Sequence, residues 1–553
     1  MPVVEDTSLF ARGCSNLIHA SLNAKTIGYG AFANCIKLDS AYLHLGNGTH
    51  DFSFLFSGSM EGSGYTMLSS VELHDNGNIV SDIQSCYCMF ADCPYLSSAS
   101  VDNYISFANV ADAAGMFNYC YRANYDTISS FTRSFSENLS DAIYMFYYCN
   151  ALESMPLTYN QMKNIESGSY MFYQCVAMNG TFSNFNDTFP NLRSADSMFR
   201  SCGNINGYWR SNLPELLNAN GMFAHTGIER FGDTDCIIEM PNVTNTNGMF
   251  LFCQDLVHCY LRMPNVTTAR EMFEYDDSLQ YVNFSSVPKL TDSYRMFYGC
   301  TTLSSLTFDN ITNMTSCGEM CAGCDSLRSI DIYNSGGGEY RWQTCYGMFA
   351  SKDNLTIVVH GNNTNIFKNA TGCDHMFAYA RNGVEILPEN YSTLQIIGVE
   401  KQINSMTIND VGGMFDERRI IDSDTAELIS CISYYSTLSD SQSMGSIFIE
   451  EPSYLDNLDL MGAWSRSEAE EVSGKSYSKI ELSKPKGSTT TISLTVYCDT
   501  EKYNEYSINY EAYAIVEGSP YIPDASTWND AFASSGIVVT SVHDGYAWND
   551  NLS

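Results

Sequence analysis

A short motif recurs along most of this sequence and constrains the fold more than any other feature. Its clearest copy is MFYGCTTLSSLTF, Met296–Phe308, in which an aromatic anchor, Phe297, is followed by Cys300 and then by apolar residues at alternate positions. Successive anchors are 22 to 38 residues apart. The anchors are Phe10, Phe32, Phe56, Phe90, Phe117, Phe146, Phe172, Phe199, Phe223, Phe250, Phe273, Phe297, Cys321 (in place of Phe), Phe349, Phe377 and Phe415.

A repeat of this length predicts a solenoid. One unit is too small to bury its own apolar face, so neighbouring units must stack and share a core. Equal register in every unit makes the strands parallel, and we expect one β ribbon with a short helical turn at each Met-Phe pair. The predicted strands are Leu68–Leu73, Leu152–Leu157, Leu256–Leu261, Leu279–Phe284, Leu303–Phe308, Leu327–Ile332, Leu355–Val359 and Leu394–Val399.

The unit M-F-x-x-C-x-x-L-x-x-L-x-F resembles the BspA-like leucine-rich repeats, especially the Met-Phe-rich variety of mycoplasma and gut-bacterial surface proteins. The resemblance covers Leu9 to Phe415. It implies a leucine-rich-repeat-like right-handed solenoid of about 16 units. Because the repeat is defined by buried positions, the resemblance carries little information about a ligand.

The pattern changes after Phe415, and we predict three domains. Residues 1–418 form the solenoid, 419–475 a cap or transition segment, and 476–553 a small β-rich C-terminal attachment domain. Asp422–Tyr435 has helical spacing. Together with Ser446–Ile449, Leu455–Leu460 and Ala463-Trp464, it resembles the closing segment of phage and prophage repeat proteins. Thr489–Cys498 and Tyr506–Val516 alternate as paired antiparallel strands do.

Charge and hydrophobicity exclude several classes of function. The formal charge is −35, from 28 basic and 63 acidic residues, which argues against nucleic acid or an anionic membrane as a partner. No apolar run reaches the length of a transmembrane helix. The first residues, MPVVEDTSLFARGCSNL, lack the basic and apolar regions of a signal peptide and show no lipoprotein anchor, so we predict neither.

The cysteines indicate packing rather than chemistry. Ten of the 20 share one slot, where Cys serves as a small hydrophobe, and we predict free, buried thiols. The run Cys317-x3-Cys321-x2-Cys324 resembles the iron–sulfur signature of radical-SAM enzymes. However, two of its members occupy repeat slots, and zinc would need a fourth ligand that is not evident nearby. We therefore predict no metal and no cofactor.

Catalytic motifs are missing from the sequence. H-E-x-x-H, G-x-S-x-G and the phosphate-binding loop do not occur. The pair Asp276-Asp277 could be imagined as the two carboxylates of a glycosidase, but with 63 acidic residues such pairs arise freely. We predict that the protein is not an enzyme; a glycan depolymerase resembling phage tailspikes is the third-ranked alternative.

Polar and aromatic residues alternate with the apolar residues of the predicted strands and should face outward. Such a strip suits a glycan or a protein partner. The alternative is that it is only the solvated side of a sheet. The candidate binding residues are His258, Tyr260, Arg262, Tyr281, Asn283, Ser305, Thr307, Ser329, Asp331 and Tyr333.

These observations favour a non-enzymatic structural and binding protein. The first hypothesis is a bacteriophage virion component of the tail, baseplate or capsid decoration, on the basis of the missing export signal and the closing segment. The second is a bacterial cell-surface adhesin. The expected partners are other virion proteins, a host-surface glycan or a host-surface protein, with this chain a homo-oligomer in a larger assembly, without membrane insertion.

Overall fold

The computed structural model describes residues 7–58, 64–75, 81–185, 188–284, 287–350 and 355–360, positions 369, 370, 372 and 376, and beyond them only the residues of individual strands. The chain forms two compact units, Met1–Val266 and Thr267–Ser553. In the described part of each unit, short parallel strands of successive coils lie side by side. The prediction of a parallel solenoid of the leucine-rich-repeat kind is confirmed.

The first unit contains twelve described strands and two short helices. One sheet has the order β1-β2-β4-β6, a second β3-β5-β7, and a third contains β8, β9, β10 and β12, with β11 pairing β12. The strands are β1 His19–Ala24, β2 Ser40–Leu45, β3 Thr49–Asp51, β4 Ser70–Asp75, β5 Ser81–Ser85, β6 Ser98–Val101, β7 Ile105–Ser106, β8 Gly180–Thr181, β9 Ile205–Trp209, β10 Gly227–Phe231, β11 Ile238–Glu239 and β12 His258–Arg262. The helices are α1 Tyr125–Thr132 and α2 Tyr159–Met162, and Phe182–Phe185 form a 3-10 turn.

The second unit continues with the same parallel arrangement. Strands β13 to β17 pair in sequence order, and β18 then pairs with β17 in the antiparallel direction. These strands are β13 Tyr281–Phe284, β14 Ser305–Asp309, β15 Ser329–Tyr333, β16 Leu355–His360, β17 Val384–Pro388 and β18 Leu394–Gln395.

The Met-Phe segments form corners of the coils, and these corners are not helical turns as predicted. Arg295 and Gly299, on either side of Phe297, both have left-handed φ angles, 52° and 73°. The Phe297 carbonyl accepts from the Cys300 amide (3.1 Å), while the Phe297 amide donates to the Met320 carbonyl of the next coil (2.8 Å). Two left-handed residues four apart interrupt any right-handed helix, so the corner is a series of turns bonded to the adjacent coil.

The predicted anchors from Phe32 to Phe349 are buried in the core of their units, which confirms their predicted burial, whereas Phe377 and Phe415 lie outside the described residues. Phe297 is fully buried and stacks on Phe273, with ring centroids 5.4 Å apart and planes inclined by 3°. The first anchor was assigned wrongly. Ala11 follows the left-handed Leu9 by two residues and is buried in the anchor slot, whereas Phe10 is 58% exposed.

The repeated cysteines do more than fill space. The described cysteines are all free thiols, and those of the repeated slot are buried apart from Cys14. Each buried thiol of this slot donates to the carbonyl of the anchor residue one coil earlier; Cys300, for example, lies 2.9 Å from the Phe273 oxygen. A ladder of weak S–H donors therefore runs parallel to the ring stack. The other members are Cys35, Cys93, Cys120, Cys149, Cys175, Cys202, Cys253 and Cys324.

The strand predictions need two kinds of correction. Most strands begin two residues later than predicted, because the first Leu of each segment still belongs to the corner: the Leu303 amide bonds the Cys300 carbonyl at 3.2 Å. Leu152–Leu157 forms no strand, and α2 follows it instead. Between β7 and β8 the described residues form no strand, although successive coils there are joined by backbone hydrogen bonds such as that from the Phe117 amide to the Met145 carbonyl (2.8 Å), so the first unit does not carry one unbroken ribbon.

The last part of the chain is described only as strands. One sheet contains β19, β20, β25, β24 and β22 with β23 attached, and another contains β21, β26, β29 and β28 with β27 attached. The predicted helix Asp422–Tyr435 lies outside the described residues. The predicted boundary at 475/476 falls at the start of β24 and stays a prediction. The strands are β19 Arg418–Ile420, β20 Gln442–Ile449, β21 Asp459–Met461, β22 Ala463–Arg466, β23 Glu470–Val472, β24 Lys475–Ser483, β25 Ile492–Asp499, β26 Glu511–Val516, β27 Ser519–Tyr521, β28 Ser541–His543 and β29 Tyr546–Trp548.

Candidate binding surfaces

The predicted binding residues occupy outward positions of four strands, two or three to a strand. Side chains of β12, β14 and β15 alternate between buried and more exposed positions, as a strand with one covered face requires. Arg262, Tyr281, Thr307 and Tyr333 are exposed. The remaining predicted residues are partly buried: His258, Tyr260, Asn283, Ser305, Ser329 and Asp331.

In the second unit, outward residues of successive coils contact one another. Tyr333 and His360 are register partners in β15 and β16, and their rings stack with centroids 4.0 Å apart and planes inclined by 5°. The His360 Nε2 atom lies 2.8 Å from Asp331 Oδ1. The strand face of the second unit, meaning the outward residues of β13 to β16, therefore ends in an ordered aromatic and acidic group. His360 was not among the predicted binding residues, because that prediction extended only as far as Tyr333 in β15.

The first unit has two strand faces of its own. On β12, Arg262 Nη1 lies 3.4 Å from Glu239 Oε1, while burial and the nearby Arg230 lower the pKa of His258. On β12, the predicted binding residues His258 and Arg262 therefore lie near the charged side chains of Arg230 and Glu239. Both partners of the ion pair are solvent-exposed, so it contributes little to stability.

The other strand face of the first unit lies on β1, β2, β4 and β6 and was not predicted. The His74 ring lies 4.8 Å from that of Tyr42 and 5.1 Å from that of His44. The His74 nitrogens are 3.2 Å from a Glu72 oxygen and 3.3 Å from an Asp102 oxygen. The hydrogen bond to Glu72 raises the pKa of the Tyr42 hydroxyl. Polar and apolar residues alternate in SAYLHL of β2 and SVELHD of β4, and this alternation could have predicted the face from the sequence.

A second type of surface lies on the corners of the first unit. Seven tyrosines from three successive coils form one group of touching rings, here called the tyrosine cluster. Tyr144 stacks on Tyr170 (4.8 Å, 12°) and Tyr147 on Tyr173 (4.9 Å, 20°). Such rings give a large, rigid contact area with little side-chain entropy to lose. The members are Tyr119, Tyr121, Tyr144, Tyr147, Tyr148, Tyr170 and Tyr173.

The described residues do not assemble a metal-binding group, and the two motifs weighed in the sequence lie in the following surroundings. Within them, no group of three or more His, Cys, Asp or Glu side chains is arranged to hold a metal ion. Cys317 instead hydrogen-bonds Cys345 of the next coil, which raises the pKa of the Cys345 thiol. Asp276 is fully buried in the slot of the repeated cysteine, whereas its neighbour Asp277 is exposed. The two carboxyl groups of the imagined glycosidase pair thus lie in different environments.

The fold and the repeated buried slots define the class of protein: a parallel solenoid built from leucine-rich-repeat-like coils. Two family models match the sequence. Residues 84–212 match one described as a Mycoplasma protein of unknown function, DUF285, and residues 244–371 match six copies of a BspA type leucine rich repeat region. The resemblance to BspA-like repeats is therefore confirmed, and neither description is that of an enzyme.

Solved structures of two bacterial repeat proteins are similar to this chain. A leucine-rich repeat protein from Bacteroides ovatus is 15% identical, with 60% of this chain and 82% of that chain covered and a TM-score of 0.31. A leucine rich cell surface protein from Faecalibacterium prausnitzii is 14% identical, with 60% and 84% covered and a TM-score of 0.30. No match was found among the curated proteins. Neither described helix has the length and hydrophobicity of a transmembrane span.

Proposed function

We propose that this chain is a non-enzymatic binding protein of a bacterial cell surface, which recognises a host-surface glycan or protein through its strand faces. The observation that carries the proposal is the arrangement of outward side chains. Parallel register places the polar and aromatic residues of successive coils side by side, as with Tyr333 and His360. The anchors and the repeated cysteines are buried in the core. The outward residues of the strands are the ones that a partner can contact.

The composition of the faces supports a recognition role. Tyr281 and Tyr333 are 37% and 40% exposed although both carry large rings. Tyrosine is enriched in protein interfaces because it combines apolar area with a polar end. The family match supports the cell surface as location, since the sequence resembles repeats of bacterial surface proteins over residues 244–371.

The test is binding of the purified full chain to host epithelial cells and to an array of immobilised glycans. Tyr260, Tyr281 and Tyr333 are replaced together by Ser, with Tyr104→Ser as the matched control because Tyr104 is 45% exposed and lies outside the strand faces. We expect the triple variant to lose binding and the control to keep it. Binding by the triple variant at the wild-type level would exclude these faces as the recognition surface.

The virion hypothesis is a second proposal and makes a different prediction. It rests on the sequence alone, namely on the resemblance of the segment after Phe415 to the closing segment of phage and prophage repeat proteins. If the chain is part of a phage particle, it should co-sediment with particles from an induced culture and should be detected in them by mass spectrometry. Recovery only from cell envelopes would favour the adhesin.

A further inference from the structure

Three outward side chains form one row across the strand face of β9, β10 and β12. Tyr208 pairs in register with Arg230, and Arg230 pairs with His258 on the next strand. Tyr208 and Arg230 are exposed, and His258 is partly buried. All three residues belong to the first unit. Because the strands are neighbours in one sheet, the backbones of adjacent members of the row lie about 4.8 Å apart.

A β-bulge turns Arg230 to the outside of the sheet. The register of β9 and β10 shifts between Ile228 and Arg230, so Glu229 is an extra residue of β10. Without that residue, Arg230 would stand opposite Trp209, whose side chain is buried. With it, Arg230 stands opposite the exposed Tyr208. A shift of one residue moves a side chain to the other face of a strand, so the bulge exposes a guanidinium group that a regular strand would direct into the core.

Arg230 differs from the other arginines near the row because it has no carboxylate partner. Arg210 forms an ion pair with Asp233, and Arg262 forms one with Glu239 at 3.4 Å. Among the residues that the structure describes, Arg230 takes part in no ion pair. The face therefore carries one arginine whose charge is not compensated by a direct contact with an acid.

The surroundings of Arg230 hold its guanidinium group without neutralising it. The Cζ atom lies 5.1 Å from the centre of the Tyr208 ring, within the range of a cation–π contact. The adjacent Glu229 is half-buried and lies beyond ion-pair distance. Burial and the charge of Arg230 lower the pKa of His258, so this imidazole is mainly neutral at pH 7. A planar guanidinium supported by a ring can offer two N–H groups of one edge to a carboxylate.

The polar groups next to Arg230 suit the hydroxyl groups of a sugar. Asn206 and Tyr208 are both exposed on β9, while Ile205 and Trp209 of the same strand are buried. The Asn206 amide and the Tyr208 hydroxyl can each donate and accept a hydrogen bond, as sugar hydroxyls do. A ligand that lies over this part of the face would meet one cation and two groups of this kind.

The charge of the whole chain selects among anionic ligands. With a formal charge of −35, the chain repels a polymer that carries many negative groups, such as an acidic peptide segment. A ligand with a single carboxylate avoids most of this repulsion and needs only one arginine without an acidic partner. The row provides one such arginine, and the groups beside it are neutral hydrogen-bonding groups.

We propose that the row of Tyr208, Arg230 and His258, together with Asn206, binds a sugar acid residue, meaning a single carboxylate on an otherwise neutral glycan. The Arg230 guanidinium donates two N–H groups to the carboxylate, while Asn206 and Tyr208 form hydrogen bonds with hydroxyl groups of the sugar. This inference rests on the proposed function, because it narrows the ligand of one strand face to a class of host-surface glycan.

The experiment is binding of the full chain to a glycan array printed in two forms, one native and one with every carboxylate reduced to a primary alcohol. Reduction keeps the rest of each glycan and removes its charge. We expect the chain to bind glycans that carry a sugar acid and to lose this binding on reduction. Arg230→Gln should bind about 10- to 100-fold more weakly, the range of charge-assisted hydrogen bonds. Arg122→Gln is the matched control and should bind as the wild type does, because Arg122 is also exposed and stacks on a tyrosine, Tyr95 (5.2 Å), but lies outside the strand faces.

Two further variants separate geometry from charge. Arg230→Lys keeps the charge but loses the planar fork that matches a carboxylate, so its affinity should lie between those of the wild type and Arg230→Gln. Tyr208→Leu removes the ring that supports the guanidinium and should weaken binding at least about 2- to 5-fold, the range of an exposed cation–π contact. The unfolding midpoint of each variant is measured to confirm that it is folded.

Wild-type affinity in Arg230→Gln, equal binding of native and reduced glycans, or no binding to any acidic glycan of the array would each overturn the inference. So would binding of a polyglutamate peptide that depends on Arg230 while no glycan binds. The proposed function is tested separately, by cell binding of the triple tyrosine variant. If that variant loses cell binding while the array shows no recognition of sugar acids, only this narrower inference fails, whereas wild-type cell binding by the triple variant counts against the proposed function.

Discussion

Replacing one anchor ring tests the packing of the solenoid quantitatively. Phe297 is fully buried, stacks on Phe273 at 5.4 Å and meets the ring of Phe308 edge-on at 6.2 Å. Phe297→Ala removes the whole ring and leaves a cavity between two coils. Substitutions of this kind in a close-packed core cost about 3–5 kcal/mol, of which about 0.5–1.5 kcal/mol belongs to the aromatic contact itself.

The matched control is Phe10→Ala, because the Phe10 ring is 58% exposed and lies outside the anchor slot. A surface substitution of this kind changes stability by no more than about 0.5 kcal/mol. Stability is measured by urea unfolding followed by circular dichroism. Hydrogen exchange then locates the loss, since in a solenoid each coil is stabilised mainly by its neighbours. The coils of Phe273 and Cys321 should exchange fastest after the change.

An unfolding midpoint of Phe297→Ala equal to that of Phe10→Ala would refute the reasoning. Faster exchange spread evenly over the chain, rather than next to the cavity, would also contradict the nearest-neighbour picture. Phe297→Leu provides an intermediate point: it keeps apolar volume but loses the ring stack, so its loss of stability should be smaller than that of Phe297→Ala.

The remaining predictions concern one buried histidine and the exposed tyrosines. His50 Nδ1 accepts from the Ile27 amide (2.8 Å) and Nε2 donates to the Gly46 carbonyl (3.2 Å), and burial lowers its pKa below 6.5. Because the unfolded state binds the proton more readily, this stabilisation is present above pH 6.5 and is lost as the pH falls below it. Between pH 7 and 5 the wild type should lose more stability than His50→Gln, which retains an acceptor and a donor but does not titrate; equal losses would contradict this. The strand-face variant at Tyr260, Tyr281 and Tyr333 should unfold at the wild-type midpoint, and a clear decrease would mean that these rings support the fold.

The buried side of the molecule could be predicted from the sequence because it repeats. The anchor and cysteine slots recur in nearly every unit. A residue type that returns at the same position of many units indicates a packing position, so the burial of these slots could be predicted. The conformation of the corners could not be predicted. It requires left-handed φ angles at residues such as Arg295 and Tyr144, and non-glycine side chains give no sequence signal for that conformation. The error at Phe10 has the same origin, since only the corner geometry places Ala11 in the slot.

The tyrosine cluster was missed because coil lengths vary. Tyr144 and Tyr170 stand 26 residues apart and Tyr119 and Tyr148 stand 29 apart, so no fixed period aligns them. Counted from the anchors, Tyr144 and Tyr170 both lie two residues before Phe, and the alignment appears. The strand faces were predicted more easily, because the alternation within a strand is local.

Alkylation of the cysteines in the native protein tests the central claim most directly, since the repeated slot samples coils along the first unit. Cys14 is exposed, whereas burial raises the pKa of Cys35 to about 11 and that of Cys93 and Cys202 to about 12. With iodoacetamide at pH 8 and mass spectrometry of the peptides, we predict rapid labelling of Cys14 and none of the other three until the protein is unfolded. Labelling of Cys93 or Cys202 at the rate of Cys14 would show that the repeated slot does not face a shared interior.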